Sequence, residues 1–175
     1  METTTIISNI ATAVSAVVAA VALLLTFLKY REKTKTDHAN RMADLLERTR
    51  KDPNITNFFN KIDLSDNGWY SKSFYENGFE QTADNALLQF EHILYLKEKK
   101  LLTEEEFSQY QYEIDKIVND QDVQRYFFNL YHYCKRVALS FKYDKLLKYG
   151  TEKGAINSDF HDKNSKNYGD KVLIF

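Results

Sequence analysis

IISNIATAVSAVVAAVALLLTFL, residues 6–28, is the longest apolar stretch of the chain, and no charged side chain occurs between Glu2 and Lys29. As a helix rising about 1.5 Å per residue it covers about 34 Å, enough for a hydrocarbon core of about 30 Å. The expectation is one transmembrane helix. Its flanks give a direction. Only Glu2 precedes it, while Lys29, Arg31, Lys33, Lys35 and Arg41 follow it. Basic residues stay on the cytoplasmic side. The N-terminus is therefore expected outside and the rest in the cytoplasm, as a single-pass protein of a cell inner membrane. The competing reading is a cleaved signal peptide, with Ala20-Val21-Ala22 as a small-residue site. The segment ahead of the run has no Lys or Arg, and the run exceeds a usual signal h-region, so an uncleaved anchor is preferred.

The span also suggests an interface. Ser8, Thr12, Ala16 and Ala20 recur every four residues and form a shallow face where a second helix can approach closely. A homo-oligomer and a plain anchor facing the lipid bilayer both fit. Residues 29–51 read as a basic juxtamembrane helix or stalk, since no Gly or Pro occurs before Pro53. The alternative is a break near Thr34 to Thr36. Propensity does not decide between them.

Residues 52–150 suit one helical domain in the cytoplasm. Twelve Tyr and twelve Phe supply a core, and the formal net charge of the chain is -1. Beyond residue 51 the balance is mildly acidic, which argues against a nucleic-acid interface driven by phosphate contacts. A single cysteine excludes a disulfide framework.

Local punctuation divides this domain. Asp52-Pro53 reads as N-cap and first helical residue of a short helix with Ile55, Phe58, Phe59 and Ile62 on one face. Asn67-Gly68 and Asn77-Gly78 are turn signals around an aromatic loop holding Trp69, Tyr70, Phe74 and Tyr75. A helix is predicted from Thr82 to about Lys97, with Ala83, Leu87, Phe90 and Leu94 in helical register. Thr103 with Glu106 forms a capping box that opens the next. Asn119 or Asp120 caps the longest, whose seam is Val123, Phe127, Leu130, Cys134, Val137 and Phe141, with Gly150 and Gly154 closing the final helical stretch. The fold class expected is all-α: one transmembrane helix followed by a small cytoplasmic antiparallel up-and-down bundle. Residues 151–175 read as a polar, loosely ordered tail whose apolar end, Val172 to Phe175, docks on the bundle or serves as a short motif for a partner.

Chemistry-bearing patterns are few. His132 and Cys134 stand two apart on a helix and point in different directions. No His-x-x-x-His or Glu-x-x-His pair occurs, so no metal is expected; no Gly-rich phosphate loop occurs, so no cofactor is expected. Arg125 and His132 have six residues between them, which places both on one helix face. This spacing resembles the Arg-x(4–6)-His signature of the HEPN ribonuclease families, where both side chains meet RNA at a dimer interface. Arg31 and His38 repeat the spacing, and Tyr126 stands where those families carry a small polar residue. The run from Phe90 to Gly150, with Tyr126-Phe127-Phe128-Asn129-Leu130-Tyr131-His132 within it, is similar to bacterial single-pass membrane proteins with a small helical domain, including phage abortive-infection membrane proteins. That resemblance implies an anchored module working through oligomerisation or an unidentified cytoplasmic protein partner, with no catalytic residue to carry over. Trp69, Tyr70, Phe74 and Tyr75 are the candidate contact surface, since aromatics dominate binding hot spots. Their other reading is core. A ribonuclease using Arg125 and His132 is the alternative function.

Overall fold

The computed structural model describes residues 2–64, 68–71, 74 and 78–168, with the side chains of 2–14 and 16 outside that description. Tyr75 and the apolar end Val172 to Phe175 also lie outside it. Among the described residues the chain is all-α. The helices are α1 (Glu2–Lys51), α2 (Pro53–Leu64), α3 (Phe79–Glu98), α4 (Glu104–Asn119), α5 (Gln121–Arg136) and α6 (Asp144–Glu152), followed by a 3-10 turn, Ser158–His161. The chain divides into two units, Met1–Glu47 and Arg48–Phe175.

The first unit is helical, and no break falls at Thr34 to Thr36. Among the described residues no helix is long and apolar enough to cross a membrane. Of the small-residue face, Ala20 is described and exposed, while the side chains of Ser8, Thr12 and Ala16 lie outside the description.

In the second unit, local capping sets the helix starts. The Asp52 carboxylate accepts the Asn54 N–H at 2.8 Å, so α2 opens at Pro53 as its sequence dictates. The Thr103 hydroxyl accepts the Glu106 N–H at 3.2 Å while the Glu106 carboxylate accepts the Thr103 N–H at 2.8 Å. Asp120 ends α4 and starts α5 alone, its side chain accepting the Val123 N–H at 2.8 Å.

Three helices end alike. The N–H groups of Leu101, Leu139 and Ala155 reach back to the carbonyls of Leu96, Cys134 and Gly150 at 2.9 Å each. The residue before each donor adopts the left-handed conformation: Lys100 at φ 57, Ala138 at φ 56 and Gly154 at φ 73. Each makes the outer bond of a Schellman ending; the inner bond is made by Lys100 to Lys97 and by Gly154 to Thr151, and only the last ending uses the glycine that the geometry favours.

The ending at Ala138 corrects the predicted seam. A helix continuing through Phe141 is not formed: α5 stops at Arg136, Val137 is exposed, and Phe141 returns to the core from a separate segment. A new helix, α6, then starts at Asp144. Gly150 lies inside it, at a close approach where an added Cβ would stand 2.7 Å from Ile156 Cδ1 and 3.2 Å from Val118 Cβ. The packing differs accordingly. Helix α2 lies on α3, and α6 packs against both α3 and α4, while α5 packs on α4 and on the 3-10 turn. The predicted set of three long helices thus gains α6 as a further wall.

The core is aromatic. Phe58, Trp69, Phe74, Phe79 and Tyr126 form one cluster, with Trp69 5.8 Å from Phe58 and 5.4 Å from Phe74 by ring centroid. Phe127 stacks on Tyr143 at 4.9 Å, and Phe128 stacks on Tyr168 at 5.2 Å. Burying each such ring contributes about 1.5–3 kcal/mol, and a well-set pair adds about 0.5–1.5 kcal/mol. The last stack corrects the tail. Through Tyr168 it is packed structure, with Ile156, Phe160, Ser165 and Tyr168 buried, because its own aromatics complete the face of α5.

Candidate functional site

Helix α5 is the hub on which the singled-out residues meet. Its first turn faces the aromatic loop. Asp122, buried, accepts the backbone N–H groups of Trp69 and Tyr70, the latter at 3.1 Å. Gly68 makes this approach, since a Cβ there would stand 2.5 Å from the Asp122 carboxylate. The Trp69 indole N–H donates to Asp120 at 3.2 Å, and Asn129 donates to the Tyr70 hydroxyl at 3.0 Å. The Asp120 carboxyl is held above its ordinary range, chiefly by burial. Trp69, Tyr70 and Phe74 are 6%, 2% and 2% exposed. They are core residues and do not form the exposed contact surface expected of them, because the Trp69 and Tyr70 backbone is fastened to α5 and all three rings are buried.

A second set of contacts runs along α3. Glu80, Asp84, Glu91 and Glu98 share one helical face by their spacing. One Asp84 oxygen accepts the Tyr126 hydroxyl at 2.6 Å and also the Tyr143 hydroxyl, while the other pairs with Lys142. Burial pushes both phenols far above their ordinary range, so they stay protonated and act as donors. Glu91 accepts the backbone N–H groups of Lys145 and Leu146 at 2.8 Å each, capping α6 from outside. Its carboxyl is raised, chiefly by burial. Glu98 pairs with Lys145 at 2.6 Å. Asp84, Glu91 and Glu98 fasten residues 142–146 to α3. The sequence carried a signal for it: three of the four acids follow one another at seven-residue steps (Asp84, Glu91, Glu98) beside an apolar face.

Arg125 and His132 both lie on α5 but serve different neighbours. Arg125 pairs with Asp122 at 3.2 Å and lines a polar recess of about 230 Å³ with Gln121, Gln124, Asn157, Asn167 and Tyr168. His132 is absent from that lining. Its Nε2 stands 3.1 Å from the Phe160 carbonyl, which can only accept, so Nε2 carries the proton. Phe128 closes on its ring at 4.4 Å. Burial lowers its proton affinity, which leaves a neutral imidazole at pH 7. Neither geometry joins the two residues around a common reacting atom.

No protein-family model, curated protein or solved structure matches the chain.

An open groove of about 670 Å³ lies between the end of α3, the start of α4 and α6. Three of its lysines, Lys97, Lys145 and Lys148, pair with Glu104, Glu98 and Glu152 at 3.2, 2.6 and 3.9 Å. Cys134 is buried, and burial raises its thiol above the ordinary range, which disfavours the nucleophilic thiolate. Among the described residues no group of three or more His, Cys, Asp or Glu is placed to hold a metal ion. The chemistry these arrangements offer is hydrogen bonding and charge pairing that rigidify a bundle.

Proposed function

We propose that this chain is a membrane-anchored helical interaction module of bacterial type, tethered in the inner membrane by residues 6–28 with its bundle in the cytoplasm. It acts through self-association or through binding a cytoplasmic protein, in the setting of phage defence that its likeness to abortive-infection membrane proteins suggests. The observation that carries the reading is α1. Val17, Val18, Val21, Leu23, Leu24, Leu25, Phe27 and Leu28 are between 49% and 72% exposed, all around the helix. Such a surface is unfavourable in water and favourable in lipid. The one polar side chain between Val17 and Leu28, Thr26, donates its hydroxyl to the Ala22 carbonyl at 2.8 Å, a bond compatible with lipid surroundings. With Ile6 to Ala16 added from the sequence, the run has the length of a span.

A non-catalytic role is favoured over the ribonuclease reading because Arg125 and His132 are engaged by Asp122 and Phe160. The test is the mass of the full-length protein extracted in mild detergent. A defined complex of two or more copies, or of one copy with a stoichiometric protein partner, supports the module. A solitary monomer, together with RNA cleavage that His132→Ala abolishes, contradicts it.

A further inference from the structure

We propose that the segment from Lys29 to Lys35 of α1 is a collar that binds anionic phospholipid headgroups. The inference rests on the anchor reading above and adds the lipid chemistry. Lys29, Arg31, Lys33 and Lys35 are all exposed, and none takes part in an ion pair among the described residues. The only acid among these seven positions is Glu32. At about 100° per residue, Lys29 and Lys33 fall within about 40° of each other, and Arg31 and Lys35 do the same on the opposite side. The cations therefore encircle the helix. A folded protein or a nucleic acid reads charge from one side, whereas a headgroup layer surrounds the helix and meets both pairs at once.

Position along the axis agrees. The collar begins immediately after Leu28 and extends about 9 Å, close to the roughly 5–7 Å depth of one interfacial layer once the side chains flex. Tyr30, 70% exposed, stands at the same level, where an interfacial aromatic is stable. The basicity is local, because the whole chain has a formal net charge of -1.

The test uses the full-length protein in mixed micelles holding equal amounts of phosphatidylcholine and phosphatidylglycerol, with retained lipid read by native mass spectrometry. Phosphatidylglycerol is expected to be enriched by at least about five-fold, the factor that one well-placed cation contributes. The variant combining Lys29→Gln, Arg31→Gln, Lys33→Gln and Lys35→Gln loses the enrichment yet still inserts into phosphatidylcholine vesicles. Excess inorganic phosphate leaves the enrichment intact. Equal retention of both lipids, enrichment that survives the four substitutions, or displacement by free phosphate each overturns the collar. Failure of the native chain to insert into phosphatidylcholine vesicles refutes the anchor itself, and the collar with it, so the two failures are separable.

Discussion

Asp122 and Trp69 lie 53 positions apart, yet a carboxylate oxygen of Asp122 accepts the backbone N–H of Trp69. The same carboxylate takes the Tyr70 N–H and the Arg125 guanidinium. One side chain thus fixes the aromatic loop to α5 by accepting two of its backbone N–H groups. Asp122→Ala removes the acceptor of two buried N–H groups and is expected to cost about 3 kcal/mol; Asp122→Asn keeps one acceptor and costs about 1 kcal/mol. Trp69 is the only tryptophan, so its fluorescence in urea titration reports this loop directly. Equal stability of the native chain and Asp122→Ala would rule the clamp out.

The paired helix endings give predictions of opposite sign. Ala138→Gly relieves a left-handed alanine and is expected to stabilise by about 0.5–1 kcal/mol. Gly154→Ala imposes the same strain. A Cβ there meets nothing within 4 Å, so its cost of about 1 kcal/mol is purely conformational. Midpoints of chemical unfolding check both; shifts of the same sign contradict the left-handed endings.

Tyr126 and Tyr143 share one oxygen of Asp84, so their contributions are coupled. Each Tyr→Phe change is expected to cost about 1–2 kcal/mol, with a double-mutant cycle departing from additivity by more than about 0.5 kcal/mol. Both phenols are raised in the fold. Stability from them is therefore full below the unfolded tyrosine value of about 10 and falls as pH rises above it. Absorbance titration should show these two phenols ionising only on unfolding. Ionisation while the bundle remains folded would contradict their burial.

His132 titrates in the other direction. Burial lowers its proton affinity in the fold, so its neutral form is part of the native state and stability declines as pH drops below the unfolded value of about 6.5. His132→Ala removes the bond to Phe160 and is expected to loosen residues 157–168 at a cost of about 1–2 kcal/mol. Hydrogen exchange across that segment measures it. Unchanged exchange together with lost RNA cleavage would favour a catalytic histidine instead.

What the sequence revealed follows a physical division. Asp52-Pro53, Thr103 with Glu106, and Asp120 were legible because a cap is satisfied within three residues of itself. The stop at Arg136 was hidden. No Gly or Pro marks it; the chain turns at a left-handed alanine, Ala138, and Phe141 and Tyr143 are buried beyond the turn. The burial of Ile156, Phe160 and Tyr168 was hidden by their polar surroundings in the tail. At the candidate sites, Arg125 and His132 were visible as a spacing, but their partners, Asp122 and Phe160, are set by side-chain packing that spacing does not encode. The seven-residue steps place Asp84 on a face, but its partners Tyr126 and Tyr143 lie 42 and 59 positions away, beyond the reach of local pattern.

The central claim is that residues 6–28 hold the chain in a lipid bilayer. Alkaline carbonate extraction of membranes from cells expressing the full-length protein tests it most directly. The account predicts that the protein stays in the membrane pellet and leaves it only with detergent. Release into the carbonate supernatant would contradict the account.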